Sequence, residues 1–125
     1  MRVIIISSSK VGNTLRKEED MDRADIAVIG TGPAGISAAI NARIRRKSFL
    51  LFGSSKLSAK IESSEQIVNY PAIDAISGPQ LNERFREQLV KLEIPIIDER
   101  ITGIYKMENY YLIMADQKQY EASTV

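Results

Sequence analysis

Residues 25–55, DIAVIGTGPAGISAAINARIRRKSFLLFGSS, decide the fold, because they spell a strand, a glycine loop, a helix and a second strand without interruption. Ile26 to Ile29 is a short apolar, β-branched run followed directly by turn residues, the pattern of a strand buried on both faces. Gly30, Gly32 and Gly35 then fall in the spacing G-x-G-x-x-G. The first allows a tight turn off the strand, the second removes a side chain where a pyrophosphate must approach the backbone, and the third lets the helix pack close to the strand. Pro33 suits the first helical turn, where its missing N–H costs nothing.

Ala34, Ile36, Ala38, Ala39, Ile40 and Ala42 continue a helix whose small residues can approach a sheet, and Arg43, Arg45, Arg46 and Lys47 place positive charge at its negative dipole end. That leaves the N-terminal end for an anion. Ser48 to Phe52 supplies the second strand, so 25–55 reads as one βαβ unit carrying a dinucleotide site. A turn that uses glycine only for packing would account for Gly35 but poorly for the close pair Gly30 and Gly32.

Further along, Ile67-Val68-Asn69-Tyr70-Pro71 offers an amide that can donate to and accept from a polar ring edge, although Asn69 serves equally as a turn residue before Pro71. Ser77 is a plausible N-cap with Pro79 in the first turn, and Leu81, Phe85, Leu89 and Leu92 recur at helical intervals, which predicts a core helix without chemistry. Ile94 to Ile97 reads as a short strand added in parallel after that crossover. Ile101 to Met107, Tyr110 to Ala115 and Lys118 to Ala122 read as an antiparallel meander, with Tyr110 and Tyr111 as sheet residues.

Taken together, DIAVIGTGPAGISAAINA, LLFGS and IVNYPAIDAISGPQLNERFREQL resemble the opening of the thioredoxin reductase-like family, the two-domain flavoproteins among the pyridine nucleotide-disulfide oxidoreductases. The resemblance covers Asp25 to the C-terminus and implies an N-terminal FAD-binding segment. It implies an α/β fold: a Rossmann-like parallel sheet with flanking helices and a small antiparallel β-meander, an incomplete FAD-binding domain. The implied cofactor contacts are Gly30, Gly32, Pro33, Ala34 and Gly35 in the loop and Phe52, Gly53 and Ser54 after the second strand. Asn69 is implied at the flavin, and Ile101 where the adenine is contacted.

Two departures accompany the resemblance. A glycine-glutamine element that touches the flavin in the family is replaced by Leu57-Ser58-Ala59-Lys60-Ile61, within a stretch, Lys56 to Ser64, that reads as a loop or short helical turn crossing above the sheet. The acid that dinucleotide folds place after the second strand is also missing, since Phe52-Gly53-Ser54-Ser55 holds no carboxylate and leaves the ribose to Ser54, Ser55 or main-chain groups.

The whole chain has 125 residues and a formal net charge of +1, a single-domain size with no electrostatic case for nucleic acid or an anionic membrane. It has no cysteine and no histidine, so any redox chemistry must come from a cofactor, and no metal site or catalytic side chain is expected. Without a membrane-spanning run or a signal peptide, a cytoplasmic protein is the default. Residues 1–24 read as a solvated, poorly ordered N-terminal extension, although Val3 to Ile6 could form a strand and Ser7 to Thr14, SSSKVGNT, resembles the FMN phosphate loop of flavodoxins without the further βα units that fold requires. Residues 25–125 are then the FAD-binding domain, read as a fragment truncated before an NADPH domain.

By resemblance the complete relative passes electrons from NADPH through FAD to a disulfide, but this chain lacks the CxxC dithiol. The expected function is the FAD-binding portion of an NAD(P)H-dependent flavoprotein oxidoreductase. The alternative is a non-catalytic nucleotide-binding or interaction module that keeps the fold without the chemistry. The expected partner is a dinucleotide cofactor, and a homodimer is the assembly considered.

Overall fold

The structure, a computed structural model, describes residues 23–116 and 118–125; the readings of 1–22, including Val3 to Ile6 and the SSSKVGNT stretch, lie outside them. The elements run β1 (Ala24–Ile29), α1 (Pro33–Ile44), β2 (Phe49–Phe52), α2 (Ala59–Glu62), α3 (Gly78–Lys91), β3 (Ile101–Lys106), β4 (Tyr111–Ala115) and β5 (Gln119–Thr124). They form one five-stranded mixed sheet in the order β2-β1-β5-β4-β3 with flanking helices.

Strand alternation builds two cores from β1 and β2. Val28, Phe49 and Leu51 face α1 and α3, where Ile36, Ala39, Ala42, Leu81, Phe85 and Leu89 close the first core. Ala27, Leu50 and Phe52 face the other way and meet Ile113, Ala115, Tyr120 and Ala122 of the meander in the second. β2 is buried on both faces throughout and β1 at Ala27 and Val28, which is why Phe49–Phe52 and residues 26–29 are written as apolar runs. Ile26 pairs with Phe49 and Ile29 with Phe52. The register is pinned at the start by Asp25 and Ser48, whose main-chain N–H groups each donate to the other's side chain, at 2.8 and 3.0 Å. Those bonds hold the Asp25 carboxyl below its ordinary range.

The meander is hydrogen-bonded into the same sheet. β5 pairs in parallel with β1 through Ala24–Ala122 and Ile26–Thr124, which makes it continuous with the βαβ sheet. In a flat sheet that register would set Tyr120 and Phe52 more than about 20 Å apart along the strands. Their rings instead meet edge to face at 4.9 Å, so β4 and β5 must curl across the face opposite the helices.

The Tyr120 hydroxyl donates to Glu99 at 3.0 Å inside this second core. Burial first, and the Glu99 carboxylate second, push the phenol up to about 12. Because the folded state holds the proton more tightly, stability from this group is complete below pH 10 and is lost as pH rises toward 12. In urea unfolding across pH 8–12, the parent should lose on the order of 2 kcal/mol relative to Tyr120→Phe. Parallel curves for the two proteins would show that the phenol is not held neutral by the fold.

Both long helices end in Schellman motifs with a left-handed residue other than glycine: Arg46 after α1 (φ 57°) and Glu93 after α3 (φ 54°). Lys47 N–H donates to Ala42 O and Ile94 N–H to Leu89 O, the six-to-one bonds of that motif. The basic cluster thus has a geometric role beyond the helix dipole, and the Arg43 guanidinium donates to the Glu93 carbonyl at 2.6 Å, tying the two helix ends together.

The stretch Ile94 to Ile97 differs from its reading as a strand. It lies parallel beside β2, with Ile97 N–H on Leu51 O at 2.7 Å and Gly53 N–H on Ile97 O at 3.2 Å, but its pairing is a single bridge between Phe52 and Ile97. Pro95 has no N–H to donate, and the left-handed Glu93 turns the chain just before it, so a ladder cannot extend upstream.

Candidate cofactor site at the ends of the parallel strands

The glycine loop leaves β1 at the carboxyl end of the parallel strands, the edge where open α/β sheets hold ligands. Gly30 takes φ 121°, a left-handed region that disfavours a side chain, and its N–H donates to Phe52 O at 2.7 Å. Gly32 is the N-cap of α1 with extended backbone and no side-chain cap, and Pro33 opens the helix. No acidic residue stands in the first turn, so the free amides and positive dipole end face no internal anion.

The three glycines do different mechanical work. A Cβ on Gly35 would lie 1.9 Å from the Gly30 carbonyl oxygen, so its bare backbone sets how closely helix approaches strand. A Cβ on Gly30 or on Gly32 would meet nothing within 4 Å. Packing therefore explains Gly35, whereas at Gly32, whose backbone is not left-handed, a side chain would enter open space.

Across the crevice, Gly53 takes φ 155° and lies against Thr31, whose Oγ1 donates to Ser54 O at 2.9 Å. Gly30, Gly32, Pro33, Ala34, Gly35, Phe52, Gly53 and Ser54 are in this way brought to one edge. Phe52 belongs to the second core, so what it presents here is its carbonyl, already accepting from Gly30. An open groove of about 400 Å³ continues from Ser54 past Lys56, Leu57, Ala59, Glu62 and Ser63.

Asn69 and Ile101 lie on other elements. Asn69 is exposed in the segment closed by the Ile67–Ile76 bridge, which turns Ile67, Tyr70, Ile73 and Ile76 inward, Tyr70 edge to face with Phe85 at 5.8 Å. Ile101 opens β3 opposite Ala115 and packs, partly buried, on the second core. Within Lys56 to Ser64, Ala59–Glu62 forms a helical turn, α2, capped by Ser58. Ser77 caps α3 in a full capping box with Gln80. Gly78 follows it because a Cβ there would lie 1.6 Å from Ile61 O. Asn82, fully buried, donates to Ser58 O at 3.1 Å and to Glu62 at 2.7 Å, which fastens α2 to α3.

Two residues at the edge were not singled out from sequence. Thr31, between the first two glycines, is legible as the side chain that must turn inward when its neighbours cannot. Asp98 follows the bridge at Ile97, and one of its carboxylate oxygens accepts from both the N–H and the hydroxyl of Ser55. The Ser55 hydroxyl, then its N–H, hold that carboxyl below the ordinary carboxylate range. No local sequence signal could place it there, since it stands 43 positions from Ser55.

No protein-family model matches the chain. A thioredoxin reductase from Peptoclostridium acidaminophilum is 30% identical over 103 residues, covering 81% of this chain and 32% of that protein. The structure superposes on a ferredoxin-flavin thioredoxin reductase from Clostridium acetobutylicum with a TM-score of 0.79 and 48% identity, over 82% of this chain and 36% of that one. The chain is related to the thioredoxin reductases. The thioredoxin reductase of Lactococcus lactis gives a TM-score of 0.74 at 27% identity over 81% of the chain. The chain spans about a third of the length of these thioredoxin reductases. Its mixed five-stranded sheet with flanking helices is thus a thioredoxin reductase fold. Among the described residues, no helix is long and apolar enough to cross a membrane.

Proposed function

We propose that this chain binds FAD through the Gly30–Gly35 loop, as the FAD-binding portion of an NAD(P)H-dependent flavoprotein oxidoreductase resembling thioredoxin reductase. The observation that carries the reading is the pair of open positions at Gly30 and Gly32 in front of an uncapped, acid-free helix N-terminus. A pyrophosphate fits there, because it needs close backbone approach and N–H donors. The flavin-bearing relative superposed above supports FAD as the dinucleotide. When bound, FAD supplies the electron-transfer chemistry that side chains without thiol or imidazole cannot.

The chain's own residues then bind and orient. Gly32, Ala34 and Gly35 present main-chain N–H groups to the pyrophosphate, Gly53 and Ser54 border the adenosine side, and Ile101 is proposed at the adenine. Asn69 is proposed at the flavin edge, from the exposed 67–76 segment. A cytoplasmic homodimer is the setting proposed for it, in which NAD(P)H reduces the flavin.

Titration of the purified chain with FAD should quench flavin fluorescence saturably, while NADPH with added FAD should give no disulfide reduction, because a cysteine-free chain offers no thiolate for exchange. Failure to bind FAD would favour a module that keeps the fold without the cofactor. Steady disulfide reduction by the pure chain would require an active site outside this reading.

A further inference from the structure

The acid that dinucleotide folds use to hold ribose is absent after β2, yet a carboxylate stands at that edge, delivered by a different segment. Ile97 bridges to Phe52 and receives the Gly53 N–H, so the next residue, Asp98, arrives beside Ser55 at the carboxyl end of β2. One oxygen accepts both Ser55 donors; among the described residues the other makes no hydrogen bond. The remaining carboxylates nearby are engaged: Glu99 by Tyr120 and Lys118, and Glu62 by Asn82. Asp25 lies at the opposite end of the strands, on Ser48.

From this geometry we infer that Asp98 is the ribose-recognising acid of the site, accepting from the 2′- and 3′-hydroxyls of the adenosine half of the dinucleotide. The inference rests on the FAD reading above and names a specificity residue for it. A carboxylate repels phosphate, so at the rim of a crevice built for an anion it is useful only to a hydrogen-bond donor. Adjacent to the pyrophosphate position, the donors on an adenosine diphosphate are the ribose hydroxyls. The two hydrogen bonds from Ser55 fix the carboxylate's orientation and favour its ionised form, the state that accepts from two hydroxyls at once.

The test compares ADP with 2′,3′-dideoxy-ADP as competitors for FAD on the parent, Asp98→Ala and Asp98→Asn. The parent should prefer ADP by about tenfold or more, the usual worth of hydrogen bonds to a charged partner. Asp98→Ala should bring that preference to within about twofold by weakening ADP alone, and Asp98→Asn, which can still accept from Ser55 and so keeps the loop braced, should fall between. Equal weakening of both competitors would make Asp98 a brace for Ser55 and overturn the assignment, as would an unchanged preference. A parent that binds neither FAD nor ADP would sink the FAD reading itself, and this assignment with it.

Discussion

Gly35→Ala should unfold the chain or lower its melting temperature by about 15 °C or more, measured without any ligand. The added Cβ would fall 1.9 Å from the Gly30 carbonyl oxygen and 2.8 Å from its carbon, both backbone atoms at the end of the most buried strand pair. Neither can swing aside like a side-chain tip. Gly30 is held by its N–H bond to Phe52 O, and α1 is held by Ile36 and Ala39, which are 1% and 0% exposed in the first core. Relief therefore requires separating helix from strand along their length, an overpacking cost of about 3 kcal/mol or more against a total stability of about 5–15 kcal/mol. For a domain of this size each kcal/mol moves the midpoint by about 4–8 °C. A variant melting within a few degrees of the parent would mean that α1 does not rest on β1 at this distance.

Much of that architecture was legible because its determinants are local. β2 and residues 26–29 of β1 are apolar runs, α1 starts where Pro33 permits and ends among its basic residues, and α3 announces itself by Ser77, Pro79 and the spacing of Leu81, Phe85 and Leu89. What the sequence could not display is non-local. The parallel seam between β1 and β5 joins residues about a hundred positions apart, and nothing in Gln119–Thr124 distinguishes a meander edge from a strand that also serves a second neighbour. The curl of the meander, carried by Phe52 on Tyr120, is likewise a meeting of two runs each of which reads as ordinary strand. Ile94 to Ile97 failed as a strand for the opposite reason: its composition is right, but Pro95 and the left-handed Glu93 deny it the donors and the straight approach.

The same division holds at the site. The glycine spacing is written in six consecutive residues, so the loop was legible, down to the separate role of Gly35. The missing acid after β2 was legible too, but only as an absence along the chain. Asp98 reaches Ser55 because Ile97 bridges to Phe52, and that bridge depends on the crossover through α3 having the right length. Asn69 and Ile101 rest on resemblance, and the fold places them on elements separate from the glycine loop.

Gly32→Val should fold like the parent and lose FAD by about a hundredfold or more, the reverse of what Gly35→Ala does. Its Cβ would meet nothing within 4 Å, and the backbone at φ −80° and ψ −178° is extended, which valine adopts readily. Loss of a glycine at the N-cap costs at most about 1 kcal/mol, so the melting temperature should shift by only a few degrees. The branched side chain, however, fills the space in front of the Ala34 and Gly35 amides, where the phosphate oxygens must come within about 3 Å of nitrogen. A phosphate kept off these donors loses hydrogen bonds to a charged acceptor, at about 1.5–3 kcal/mol each, and two of them amount to a hundredfold or more in affinity. Gly32→Ala, with one methyl group, should fall between, since the approach is narrowed but not closed. Full FAD affinity in Gly32→Val, with a melting curve matching the parent's, would place the pyrophosphate away from this loop; a lost affinity with an equally lost fold would instead show that Gly32, like Gly35, is a packing glycine.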